Sequence, residues 1–130
     1  MPMERCGDRE LGWGECAEVL EQAGWCRLAM AERGQPYLVP MAYAVEWPGG
    51  ETAVFRLRSP RWGLKMQCLE QNRRVALEAE RPGPGWVDSV VAFGFARFAP
   101  PQPGRAWGDI KVETFQLTGR RHFMAPPGEG

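Results

Sequence analysis

The chain has 130 residues, of which 44% are apolar and 25% charged, and its 16 Lys and Arg equal its 16 Asp and Glu. That size suits one domain with a single core, and the balanced charge gives no reason to expect nucleic acid or a membrane surface as partner. No apolar run approaches the roughly 20 residues that cross a bilayer, and the N-terminus MPMERCGDRE lacks an apolar signal core, so the expected location is the cytoplasm.

Cys6, Cys16, Cys26 and Cys68 are scattered, with no C-x-x-C pair, which speaks against a disulfide framework. The only histidine, His122, lies near the C-terminus. A zinc site and a Ser-His-Asp or Cys-His nucleophile are therefore not expected. Binding, or chemistry carried by a bound cofactor, remains.

Residues 1–12 read as a loose arm. Glu15–Ala23 has the spacing of a short amphipathic helix with Cys16, Val19, Leu20 and Ala23 inward, stopped by Gly24. The period then changes to two. Trp25–Ala31 is a strand, and Glu32–Gln35 a hairpin turn. Pro36–Trp47 is a second strand. Pro40 in its middle has no N–H, so that strand must be an edge or be bulged. After Pro48–Gly50 the segment Thr52–Arg58 returns antiparallel.

Val54–Leu69 then reads as a strand entering a helix. Ser59 suits an N-cap and Pro60 the first helical position. The helix is expected over Arg61–Gln71, with Trp62, Met66 and Leu69 on one apolar face and Asn72 as its stop. Its free N–H groups beside Arg58, Ser59, Arg61 and Lys65 would attract an anion, phosphate among them. The same residues also fit an ordinary cap beside a solvated cationic face. Arg73–Glu80 is a fourth strand. Trp86–Phe98 is a long one, with Gly94 as a bend or bulge. Asp109–Phe115 is a last strand, and Leu117–Arg121 closes the fold. About six antiparallel strands and two short helices suggest a small barrel, mainly β, over residues 1–123, with 124–130 as a disordered tail. Six Trp and six Phe in so short a chain point to aromatic surface covered by a second copy.

Four segments in order, QPYLVPMAY, FRLRSPRWGLKMQCLEQNRRVAL, WVDSVVAFGFA and IKVETFQLTGRR, resemble the FMN-binding split barrels related to pyridoxamine-phosphate oxidase. The branch they are most similar to is that of nitroimidazole-resistance (Nim-like) and flavin-nucleotide-binding proteins. The resemblance covers roughly residues 9–121. It implies a six-stranded antiparallel split β-barrel and a homodimer holding FMN between its subunits. It implies that Val39, Pro40 and Met41 lie along the flavin ring, that Arg58, Ser59 and Lys65 contact the phosphate, and that Trp86 and Ser89 reach the same cleft from the other subunit. Trp86 reads equally as an aromatic of the dimer core. Three features depart from the family. Arg58 replaces a histidine, and Leu64 replaces a basic residue, for which Arg61 one turn earlier could substitute. The connection Ala99–Gly108 is short and rich in proline. The resemblance implies an FMN-dependent oxidoreductase acting on a small aromatic or nitro compound, or else a non-catalytic flavin or haem binder or sensor.

Overall fold

The computed structural model describes residues 8–60, 63–99 and 102–124. The order is β1 (Asp8–Glu10), α1 (Trp13–Ala23), β2 (Trp25–Glu32), β3 (Gln35–Ala42), β4 (Ala44–Glu46), β5 (Val54–Pro60), α2 (Leu64–Gln71), β6 (Arg74–Gly83), β7 (Trp86–Phe98) and β8 (Trp107–Phe123). All strands pair antiparallel in one eight-stranded sheet of order β3-β2-β6-β7-β8-β5-β4, with β1 on β8. Six strands are substantial, as expected, and β1 and β4 add three residues each. The arm is thus not loose throughout, since Asp8–Glu10 pairs with Arg120–His122. Its three side chains are exposed, so no apolar pattern announced it. Cys6 and the tail beyond Met124 lie outside the described residues.

The sheet is open, and its two edges are consecutive in the chain. β3 ends at Ala42 and β4 begins at Ala44, so the expected single strand Pro36–Trp47 is two strands joined by Tyr43. Pro40 therefore sits on an edge, opposite Arg27. Tyr43 fixes the joint: its N–H donates to Gly24 O at 3.0 Å and its hydroxyl to Leu20 O at 2.6 Å. Its ring meets Phe55 edge-on at 5.2 Å. Burial pushes the Tyr43 hydroxyl up to about 12.

Leu28, Leu77, Val90, Phe55, Leu57, Ile110 and Val112 fill the inner face, and α1 closes one side with Val19 and Leu20. The turn between β2 and β3 has Arg33 at φ 51° and Gly34 at φ 79°, the left-handed pair that a two-residue hairpin needs. At Gly94 the register slips, so that Phe93 pairs with Gln116 and Gly94 with Thr114. Phe115 is the extra residue of a bulge, and a Cβ on Gly94 would stand 2.4 Å from Glu113 O. Cys16, Cys26 and Cys68 are free and buried. Among the described residues, no helix is long and apolar enough to cross a membrane.

Candidate functional site

An open cavity of about 710 Å³ lies outside the barrel, along the split. One lip is β3, with Pro40, Met41 and Ala42. The other is β5, with Arg56, Arg58 and Pro60. Tyr43 and Ala44 close the end where the lips join; Trp25, Lys65, Trp107 and Asp109 complete the walls. Period two decides which β5 residues reach it. Phe55, Leu57 and Ser59 are buried inward, so Arg56 and Arg58 face out.

The electrostatics are uneven. Arg58 stands 3.4 Å from Asp109, with both side chains more than half exposed, a pair of little strength in water. Lys65 is half-buried in the first turn of α2. Desolvation lowers its pKa, and no carboxylate lies within ion-pair distance of it among the described residues. A desolvated cation without a counter-ion is costly unless an anion binds beside it. No side chain caps α2.

Ser59 is not the N-cap expected from sequence. β5 continues through Pro60, pairing Ser59 with Gly108 and Pro60 with Trp107. Ser59 is buried, and its hydroxyl donates to Pro60 O at 2.8 Å, away from the cavity. Gly63 caps the helix instead, at φ 110°, which a side chain rarely tolerates. Tertiary pairing of β5 with β8 overrides the local Ser-Pro signal. The helix begins at Leu64, three residues later than expected; Arg61 and Trp62 lie outside the described residues.

Of the residues expected at the site, Pro40, Met41, Arg58 and Lys65 line the cavity. Val39 faces the core, opposite Leu28. Trp86 and Ser89 are not brought to it within one chain. They are three residues apart on a strand and project from opposite faces. Ser89 lies on the outer face and donates to Glu78 at 2.7 Å. Trp86 is stacked beneath Arg121 at 4.4 Å, beside the buried Asp88. His122 pairs with Asp8 at 3.1 Å, far along β8 from Asp109.

Arg56, Asp109, Trp25, Tyr43 and Trp107 are wall residues missed in the sequence. Arg56 was legible, since it shares the alternation that aims Arg58 outward. The two tryptophans were not, because only the pairing of β8 with β5 and of β2 with β3 delivers them.

The architecture is a split barrel, the fold shared by pyridoxamine 5′-phosphate oxidase-like proteins. The chain belongs to the pyridoxamine 5′-phosphate oxidase family, whose model matches residues 12–108. No curated protein matches it. Among solved structures, it is similar to an FAD-binding protein from Mesorhizobium loti, at 26% identity over 88% of this chain and 97% of that one, with a TM-score of 0.77. A protein assigned to 5-nitroimidazole antibiotic resistance from Bacteroides thetaiotaomicron is 17% identical over 88% and 89%, TM-score 0.75. The FAD binding protein from Mycobacterium smegmatis is 18% identical over 88% and 98%, TM-score 0.73.

Proposed function

We propose that the chain binds a flavin nucleotide in the split cavity and serves as a flavin-dependent oxidoreductase for a small aromatic or nitro compound. The observation that carries this reading is Lys65, half-buried and with no carboxylate within ion-pair distance among the described residues, facing the same space as Arg58. Together they match the roughly two negative charges of a phosphate monoester. Family membership and the FAD-binding protein from Mesorhizobium loti support a flavin over other phosphates.

The wall fits the rest of such a ligand. Trp25 and Trp107 are 65% and 53% exposed, and flat apolar surfaces of that kind suit an aromatic ring. Pro40 leaves the β3 edge without one donor, and the remaining edge groups are free for a ring system. The ionisable wall residues are Arg56, Arg58, Lys65, Asp109 and Tyr43, and the Tyr43 hydroxyl is committed to Leu20 O. A bound flavin would itself supply the acceptance and return of electrons, so the protein's part is placement and electrostatics.

A homodimer completes the reading. The outer face of β6–β8 carries an exposed aromatic patch among its charged residues: Phe93 and Phe95 are 39% and 42% exposed and Phe115 is 61%. An exposed aromatic patch of this kind suits cover by a second copy. Ser89 stands on that face and can approach a partner's cavity, whereas Trp86, on the opposite face, is a packing aromatic.

The test is the visible spectrum of the purified protein with and without added flavin, beside size-exclusion chromatography. A yellow dimer whose bound flavin is reduced by a nicotinamide donor and reoxidised by a nitroaromatic supports the enzyme. Bound flavin that no donor reduces, or uptake of haem alone, supports a non-catalytic binder. A protein that takes up neither overturns the proposal.

A further inference from the structure

Asp109 is the register partner of Arg58 across β5 and β8, and its carboxylate stands 3.4 Å from that guanidinium. It also lines a small cavity of about 50 Å³ that adjoins the split and has Arg58, Trp107 and Asp109 in common with it. Gln102 and Arg105 complete the small cavity from the loop before β8. They belong to one tight turn, in which the Arg105 N–H donates to Gln102 O at 3.2 Å and Gly104 takes φ 77°. The Ala99 N–H donates to Asp109 O at 3.0 Å, so the loop that carries Arg105 is tied at Asp109 itself. Arg105 is exposed, and no carboxylate lies within ion-pair distance of it among the described residues. A space of this volume holds one or two waters. Asp109, the one acid lining it, thus has the arginine that holds it now and a second arginine across a gap of that size.

A phosphate at Arg58 and Lys65 disturbs this arrangement. The Arg58 guanidinium cannot serve the phosphate and Asp109 equally, and a carboxylate left beside a phosphate dianion is repelled by it. Arg58 and Lys65 match the roughly two charges of the phosphate, and Asp109 then needs a cation of its own. Arg56, the other cation of the split cavity, already holds Glu46. Lys111, two residues along β8, lines neither cavity. Arg105 faces the space beside Asp109. We infer that Arg105 is a positioning residue of the flavin-phosphate site: when the phosphate takes Arg58, Arg105 takes Asp109. The inference rests on the flavin reading above and deepens it, since it says where the site's own counter-ion goes when the ligand arrives. In this role Arg105 acts through Asp109 and makes no contact with the phosphate.

The experiment is a double-mutant cycle on FMN affinity, read by fluorescence titration of the full chain at low salt. It compares the wild type, Arg105→Ala, Asp109→Asn and the variant carrying both. Arg105→Ala alone is expected to weaken FMN binding roughly fivefold, because Asp109 then stays beside the phosphate without a cation of its own. In the Asp109→Asn background the same change should cost little, since no carboxylate remains to be received. Arg105→Lys should keep most of the wild-type affinity, and the denaturation midpoints of the Arg105 variants should stay put, as the side chain is exposed. A loss of equal size in both backgrounds would make Arg105 a phosphate contact or a structural prop, and no loss in either would make it a bystander. Each of these overturns the exchange and leaves the flavin site standing. A wild type that binds no FMN would overturn the phosphate site at Arg58 and Lys65, and this role with it.

Discussion

Two clusters of cations in this molecule have opposite fates. In one, Arg81 and Arg121 grip Asp88, whose side chain is 1% exposed, at 3.2 and 2.7 Å. Arg121 makes a second bond to it at 3.0 Å, and Arg81 also donates to Gln22 on α1. In the other, Lys65 is desolvated with no acid within ion-pair distance among the described residues, and Arg58 holds an exposed aspartate. The first cluster carries its counter-ion within the chain, so its charges serve the fold. The second has only the exposed Asp109 among the described residues, so its charges are available to something that arrives. Counting cations does not separate the two; asking where each finds its negative charge does.

The largest expected effect falls on the closed cluster. Asp88→Ala strands two arginines against a packed layer and should lower stability by about 2–4 kcal/mol, less than for wholly buried partners because both arginines keep some contact with water. Chemical denaturation reads this directly, and an unchanged midpoint would erase the contrast. Arg58→Ala with Lys65→Ala should do the reverse: flavin affinity falls by two charge-assisted contacts of about 1.5–3 kcal/mol each, while the denaturation midpoint stays put. A midpoint that falls as far as in Asp88→Ala would make the open cluster structural as well.

Acid sharpens the comparison. Hydrogen bonds from Arg121, and then Arg81, hold the Asp88 carboxyl below its ordinary value. Its contribution is therefore complete above about pH 4, the unfolded value, and is lost as pH falls through the lower folded one. Glu15, bonded by Arg9 and by the Gly12 N–H and lowered to about 2, acts in the same direction. Denaturation midpoints between pH 7 and pH 2.5 should fall below pH 4 and fall less steeply in Asp88→Asn. The smallest effect is at Asp109. Asp109→Asn frees Arg58 from an exposed pair of about 0–1 kcal/mol, so flavin should bind a few-fold more tightly in a titration at low salt. Weaker binding would give Asp109 a role in holding the ligand.

The elements that sequence made legible are those whose evidence is local. Alternation placed Trp86–Phe98 to the residue, with the irregularity at Gly94. Pro40 signalled an edge because a missing N–H is a property of one residue. Asn72 does stop α2, its amide N–H returning to Cys68 O at 2.9 Å. Ser59-Pro60 misled for the same reason. Its capping signal is local, and it lost to seven rungs of pairing with β8, Val54 to Pro60. The break at Tyr43 was hidden because both halves of Pro36–Trp47 alternate; only closure of the sheet on itself demands a corner there. Arg56 and Arg58, two of the three cations lining the cavity, could be read from strand phase, but its tryptophan walls come from distant segments and had no signature.

Tyr43 also sets how the cavity can deform. The β3 lip meets β4 at this one covalent pivot, β4 carries the β5 lip by pairing, and no ladder joins β3 to β5, so the lips behave as the arms of a pair of tongs whose pin is held by the bonds to Gly24 and Leu20. Such a gap opens by angle: a small rotation at the pin hardly moves Ala42 against Ala44 but swings Pro40 away from Arg58 by an amount that grows with distance along the arm. The jaw end, where Arg58 lies, is then the compliant part of the cavity, and the hinge end keeps a fixed width.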